Sequence, residues 1–287
     1  MMQKYLSLVK FAHTIFAMPF ALVGYFIAVR GFGEHFNWLD LVLVVLAMVF
    51  ARNAAMGFNR YVDRNIDAKN DRTAQREIPS GKVSVKAAGW FVVLNVTAFI
   101  VTTWFINLLC FYLSFVAMAV VLGYSLTKRF TWLCHFILGI GLSLAPIGAF
   151  LAVTGYFHWV PVLLSVAVLL WVTGFDIIYA LQDDGFDKEQ GLFSIPSYFG
   201  RKKALWISRA IHIISGAIII AIGYWLKLNF IYFIGASLFT LLLIYQHLVV
   251  KASDLSKVNL AFFTTNGIAS VVYATVTIFS LYYQMSS

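Results

Sequence analysis

Two acidic clusters stand out in an otherwise apolar chain. One reads Asn59-Arg60-Tyr61-Val62-Asp63-Arg64-Asn65-Ile66-Asp67. The other reads Asp183-Asp184-Gly185-Phe186-Asp187, preceded by Asp176-Ile177-Ile178-Tyr179-Ala180-Leu181-Gln182. Each sets carboxylates four residues apart, which on a helix places them on one face about one turn apart. Carboxylates so arranged, with cations beside them, can hold Mg²⁺, and Mg²⁺ can hold a diphosphate. The chain has 12 Asp and Glu in 287 residues, so their concentration at two points calls for a chemical reason.

The clusters extend into polar stripes. Arg52, Asn59, Asp63 and Asp67 follow one another at intervals of seven, four and four, close to whole helical turns. Arg52 then lies about 16 Å deeper than Asp63 at 1.5 Å per residue. A solvated helix end accounts for Asp67 but not for a charge at that depth, which needs a cavity or a partner. Asp176 and Asp183 repeat the pattern seven residues apart, with Asp187 continuing it if the helix persists past Gly185 and with Tyr179 and Gln182 on the same side. Asp176 is read as facing the site, or alternatively as the buried salt-bridge partner of Arg52. After the first cluster, Arg72 and Arg76 are four apart and can bind phosphate oxygens as bidentate forks. Tyr124, Lys128 and Arg129 recur at helical spacing later; topology alone would also explain the two cations.

The elements that carry these residues are read from composition. The chain is 61% hydrophobic and 11% charged with mean hydropathy +0.85, against about 25% charged in soluble domains. This is an all-α, polytopic membrane protein, one integral domain over 1–287. A span needs about 20 apolar residues, and about nine candidates emerge: 9–30, 38–63, 86–107, 109–126, 132–154, 159–182, 204–226, 229–250 and 259–283. The first has a basic start but is too long for a signal h-region and lacks a small-residue cleavage site, so it reads as an uncleaved span. Only Asn107 separates the third span from the fourth. With the N-terminus inside, nearly all cations fall on the cytoplasmic side, and the other face keeps Arg30 and Lys227. Both acidic clusters then lie at cytoplasmic helix ends, beside the polar loops 64–85 and 183–203. The net charge of +9 is thus a membrane-face signal rather than a nucleic-acid one. Cys110 and Cys134 have no metal spacing, and the six histidines are scattered and read as structural or interfacial.

The arrangement N-x-x-x-D-x-x-x-D, followed by R-T-x-x-R and P-x-G, resembles the UbiA-type intramembrane aromatic prenyltransferases. So do D-x-x-Y-A-x-Q-D-x-x-x-D, Tyr124 with Lys128-Arg129, and the early stretch His13-Thr14-Ile15-Phe16-Ala17-Met18-Pro19-Phe20-Ala21. The similarity runs through essentially the whole chain. One departure is Glu77-Ile78, where many members have Pro-Leu. The resemblance implies nine helices around a central cavity capped by the two cytoplasmic loops, in the bacterial inner membrane. It implies Mg²⁺, held by Asp63, Asp67, Asp183 and Asp187 with Asn59, and a polyprenyl diphosphate donor.

The residues fit that chemistry on their own terms. A highly charged leaving group departs from an allylic carbon, and Mg²⁺ with Arg72, Arg76, Lys128 and Arg129 offsets its charge. Arg52, deep on the stripe, suits an acceptor carboxylate, and the family's hydroxybenzoate enzymes resemble this chain in having arginine there. The leading expectation is a 4-hydroxybenzoate polyprenyltransferase of quinone biosynthesis. Menaquinone-precursor, haem O and ether-lipid branches stay open. The other class is a cation-coupled transporter, but the chain has five prolines, no clear repeat, and phosphate-suited arginines beside its acids. The expected partners are the donor, the aromatic acceptor and the bilayer; no nucleic acid and no obligate protein partner are inferred.

Overall fold

A computed structural model describes Leu8 and residues 16–284. His13, Thr14, Ile15, Lys4 and Lys10 lie outside the described residues. The long helices are α1 (Met18–Phe26, continued by a π-helical turn Ile27–Gly31), α2 (Trp38–Val62), α4 (Val85–Ile106), α5 (Leu108–Thr127), α6 (Cys134–Thr154), α7 (Trp159–Ala180), α10 (Arg201–Trp225), α11 (Phe230–Val249) and α12 (Asn266–Gln284, preceded by a π-helical turn Leu260–Thr265). Three short helices, α3 (Arg64–Asp67), α8 (Asp184–Glu189) and α9 (Ile195–Phe199), lie in the polar segments.

Among the described residues, eight helices are long and apolar enough to cross a membrane, and Met18–Gly31 is a shorter apolar helix. These correspond to the nine expected spans, with residues 9–15 of the first outside the described part. Several helices start where a side chain can accept the first free backbone N–H groups, which in a bilayer have no water to turn to. Asn37, Ser84, His158 and Asn229 cap α2, α4, α7 and α11 in this way. Asn107 alone forms the turn between α4 and α5. It is extended, accepts from the Cys110 N–H, and donates to the Leu151 carbonyl at 2.9 Å on α6.

Consecutive long helices pack side by side around a ring that α12 closes against α1. α1 also packs on α6, so its two faces serve two apolar clusters. Phe16, Phe20, Val23 and Ile27 join Trp171, Phe239 and Tyr273 of α7, α11 and α12. Ala17, Ala21, Tyr25 and Val29 join Val44, Cys110, Ala145 and Ala149 of α2, α5 and α6. At the end away from the acidic clusters, the Arg30 guanidinium stacks 4.0 Å from the Tyr282 ring, and Asn229 donates to the Ser280 carbonyl at 3.0 Å.

The α1–α6 contact depends on Gly24, where a Cβ would lie 2.1 Å from the Pro146 carbonyl oxygen. Small residues permit such close helix approach in membranes. Gly24→Ala should therefore destabilise the protein by about 1–3 kcal/mol through overpacking. Gly123→Ala on α5, where a Cβ meets nothing within 4 Å, should be neutral or mildly stabilising. Thermal unfolding of both variants in detergent tests the difference in sign.

Candidate active site

Both acidic stripes break at their first aspartate. α2 ends at Val62, Asp63 takes φ −87° and ψ 4°, and α3 restarts at Arg64. After α7 a short turn leads to Asp183, at φ −108° and ψ 3°, and α8 restarts at Asp184. In both, the second aspartate donates its N–H to the carbonyl of the first, Asp67 to Asp63 at 2.7 Å and Asp187 to Asp183 at 2.8 Å. The sequence reading of a straight stripe is corrected here to a kinked one. The kink keeps the i→i+4 spacing but re-aims the second carboxylate.

The two kinks face one cavity of about 260 Å³. Arg52, Asn59, Asp63, Asp67, Arg72, Arg76, Tyr124, Lys128, Asp176, Tyr179, Asp183 and Asp187 all line it. Arg129 reaches its edge, donating to Asp63 Oδ1 at 3.0 Å and to the Val62 carbonyl at 3.1 Å. Gln182 does not join: its amide donates to the Tyr179 carbonyl at 3.3 Å and the side chain lies outside the lining. α7 ends at Ala180, so Gln182 lies in the turn that follows and leaves the face that Asp176 and Tyr179 share.

Each acid is met by cations from a different element. Asp63, 1% exposed, takes Lys128 Nζ at 2.6 Å on Oδ2 and the Arg129 guanidinium on Oδ1, and Asn59 donates to Oδ2 at 3.2 Å. Asp67 is paired with Arg76 at 2.7 Å, while its buried Oδ2 has no hydrogen-bond partner. Asp183 holds the forked guanidinium of Arg72, with Nε at 2.9 Å from Oδ1 and Nη2 on Oδ2. Arg72 Nη1 donates to the Tyr179 hydroxyl at 2.8 Å, and the Asn70 amide donates to Asp183 Oδ1 at 3.0 Å. The 68–84 segment is thereby clasped onto the α7–α8 junction. Asp187 has a carboxyl pushed up to about 6 by burial, opposed by Ser194 and reinforced by the nearby Asp183 charge. Asp184 points elsewhere, forming a bidentate pair with Arg201 at 2.8 and 2.7 Å. Among the described residues no three His, Cys, Asp or Glu side chains converge on one point in this arrangement.

The deeper residues depart from the pairing expected as one alternative. No ion pair joins Arg52 to Asp176 among the described residues. Asp176 Oδ2 instead lies 2.7 Å from His135 Nδ1, and the Arg52 Nε is buried without a hydrogen bond. A second cavity of about 290 Å³ adjoins the first between α2, α4, α5 and α6, and its walls are almost wholly aliphatic and aromatic. Arg52 and Tyr124 line both cavities and so stand at their junction.

Sequence reasoning missed three contributors. His135 looked scattered because its partner is 41 residues away. Arg60 sits inside the first motif and lines the polar cavity at 3% exposure, 3.7 Å from Glu77. The departure Glu77-Ile78 thus supplies a counter-charge to a buried guanidinium. Phe262 comes from the π-helical turn before α12 and stacks on Tyr179 with centroids 4.1 Å apart. That turn is pinned by Asn266, which donates to the Ala261 and Phe262 carbonyls and accepts from Trp171 Nε1 at 2.9 Å.

The UbiA prenyltransferase family profile matches residues 17–268. The chain belongs to the UbiA prenyltransferase family. It is an enzyme, a multi-pass membrane prenyltransferase. It is 31% identical over 241 residues to a 4-hydroxybenzoate octaprenyltransferase of Vibrio campbellii, covering 82% of this chain and 83% of the relative. It is 33% identical over 238 residues to one of Nitrosospira multiformis, covering 82% and 81%. A UbiA homologue from Aeropyrum pernix superposes with TM-score 0.80 at 30% identity, covering 95% and 98% of the two chains. A homologue from Archaeoglobus fulgidus bound to DMAPP and Mg²⁺ shares the fold, with TM-score 0.71 at 21% identity over 97% and 99%. The all-helical membrane architecture expected from composition is the architecture of the UbiA fold.

Arg72 is the residue that ties the cap to the kink. Arg72→Ala removes its hydrogen bonds to both Asp183 and Tyr179, so amide hydrogen exchange in 67–76 should rise by at least several-fold while exchange in α10 and α11 stays unchanged. Unaltered exchange in the cap would show that the clasp does not hold it.

Proposed function

We propose that this enzyme transfers a polyprenyl group from a polyprenyl diphosphate to 4-hydroxybenzoate in quinone biosynthesis, at the cytoplasmic face of a bacterial inner membrane. One observation carries the reading: two kinked, acid-and-cation-lined helix ends share a polar cavity, and an apolar cavity adjoins it across Arg52, Tyr124, Leu138 and Leu142. A diphosphate with a long hydrocarbon tail has that same division of polarity. The naming of the Vibrio and Nitrosospira relatives supports the acceptor.

The donor set suits Mg²⁺. Asp63, Asp67, Asp183 and Asp187 offer hard carboxylate oxygens, with the Asn59 amide beside them. The buried, unpartnered Oδ2 of Asp67 is a site that a cation would satisfy. Bound Mg²⁺ supplies neutralisation of the charge on the leaving diphosphate. Lys128, Arg129, Arg72 and Arg76, now engaged by the acids, give charge-assisted hydrogen bonds to the non-bridging phosphate oxygens. The prenyl chain lies in the apolar cavity, which keeps water from the reacting carbon. Phe16, Phe175 and Phe262 line the polar cavity and present π-faces near that carbon. Arg52, with its free Nε at the junction of the two cavities, binds the acceptor carboxylate and Tyr124 borders the acceptor ring.

Prenyl transfer in detergent should be abolished by Asp63→Ala, by Asp183→Ala and by EDTA, with the folded protein retained. Substantial turnover of either folded variant at saturating Mg²⁺ would remove the metal assignment. Mg²⁺ affinity should also depend on pH. Asp187 binds its proton more tightly in the folded protein than a free carboxyl does, so below about pH 6 the cation must displace that proton. Titration should show affinity falling as pH drops through about 6, with proton release on binding.

Arg52→Ala should lower kcat/KM for 4-hydroxybenzoate roughly 10- to 150-fold, the value of a charge-assisted hydrogen bond of about 1.5–3 kcal/mol, while the donor KM stays nearly unchanged. Equal use by the wild type of phenols with and without a carboxylate would defeat the assignment.

A further inference from the structure

We propose that His135 is a positioning residue that fixes Asp176 as an ionised carboxylate facing the acceptor, and that Asp176 takes the acceptor's phenolic proton. The inference rests on the hydroxyaromatic acceptor proposed above and adds to it the group that activates that acceptor.

The hydrogen bonds assign the imidazole tautomer. The backbone N–H of Ile195 donates to His135 Nε2 at 3.2 Å, so Nε2 carries a lone pair. The ring proton is then on Nδ1, which donates to Asp176 Oδ2 at 2.7 Å. A neutral imidazole donor leaves Asp176 Oδ2 as the acceptor of the pair. Burial and these two hydrogen bonds hold the ring, and the His135 carbonyl accepts from Thr173 Oγ1, which seats the start of α6 on α7. Ile195 opens α9, in the loop that follows Asp187. The dyad is thus braced from α6, α7 and that loop.

Asp176 is 21% exposed, and the exposure is to the polar cavity it lines. Oδ1 receives no hydrogen bond from the described residues, so one carboxylate oxygen is fixed by His135 and the other is open to a ligand. Arg52 and Tyr124 line the same space. Because Arg52 and Asp176 line one cavity, a ring carrying a carboxylate at one end and a hydroxyl at the other would turn the first to Arg52 and the second to Asp176. As Asp176 takes the phenolic proton, the ring carbon beside the hydroxyl bonds to C1 of the prenyl group. The C1–O bond to diphosphate breaks and its electron pair leaves with the diphosphate. The dienone loses its ring proton to the departed diphosphate, and Asp176 returns its proton to the oxygen, restoring the phenol. General bases of this kind contribute about 10²- to 10⁴-fold.

Three variants and two acceptors test this in nanodiscs with Mg²⁺ and polyprenyl diphosphate. His135→Leu and Asp176→Asn should lower kcat with 4-hydroxybenzoate by at least about 100-fold and leave the donor KM unchanged. His135→Gln should stay within about 5-fold of wild type, since its amide can donate to Asp176 and accept from Ile195. The deficit of Asp176→Asn, which should fold even if His135→Leu does not, should shrink at least 10-fold with 3-fluoro-4-hydroxybenzoate, whose more acidic phenol needs less help. A purely structural role predicts the same deficit with both acceptors, and that result would overturn the proposal. Independently of turnover, ¹⁵N-histidine spectra, with His135 assigned by its loss in His135→Gln, should show a neutral Nδ1–H ring. An imidazolium or an Nε2–H ring would overturn the positioning role. A wild type inert towards both acceptors would instead defeat the proposed function, and with it the proton transfer, whatever the histidine spectrum shows.

Discussion

Charge held at the end of an apolar bundle governs this molecule. A carboxylate such as Asp63, withdrawn almost wholly from solvent, is costly unless opposite charge and hydrogen bonds surround it. The chain meets that demand across elements. Asp63 on the α2 kink is held by Lys128 and Arg129 after α5, and Asp183 after α7 by Arg72 from the cap. Asp67 and Arg76 close the loop onto its own helix. Removing one partner of such a pair leaves an uncompensated buried charge, so the pairs also set the relative positions of the helices that carry them. The cap is held to the bundle by the same ions that line the site.

The kinks explain why the acids can be both buried and available. A continuous helix would carry the second aspartate of each pair along the same axis, out towards solvent. Breaking α2 at Asp63, and separating α8 from α7 at Asp183, turns the following residues across the mouth of the bundle while retaining one backbone hydrogen bond across each break. The result is a polar chamber roofed by short helices and a loop. Beneath it the walls change abruptly in character, with Arg52 and Tyr124 at the boundary. Membrane-depth polar groups occur here because they face that chamber and not lipid.

Two further buried polar networks serve the same end at one remove. Asn266 satisfies Trp171 and two carbonyls of a π-helical turn, and the turn delivers Phe262 onto Tyr179. Tyr179 in turn accepts from Arg72. His135 links α6 to Asp176 and to the loop after Asp187. These networks are fully internal, as an apolar surround requires.

Composition and spacing alone specify the class and mark most of the polar residues that line the cavity. Apolar runs of bilayer length specify spanning helices, because nothing else satisfies backbone polar groups in lipid. Even the break at Asn107, a single residue, was legible as an interruption between two long runs, though its role as the cap of α5 was not. The scarcity of acids made Asp63, Asp67, Asp183 and Asp187 conspicuous, helical spacing put Arg52 and Asp176 in line with them, and the family resemblance added Tyr124. Spacing assumes a straight helix, however, so the kinks were invisible to it and Gln182 was placed on the wrong side. Pairing was equally out of reach. Arg52 and Asp176 seemed natural partners by charge and depth, yet Asp176 is taken by His135, 41 residues back on a neighbouring helix. Arg60 with Glu77, and Phe262 with Tyr179, are likewise meetings of segments distant in the chain or turned by a loop. Periodicity reports which face a residue occupies; only the packing of helices decides what stands opposite that face, because that depends on crossing geometry and close contacts such as Gly24 on Pro146.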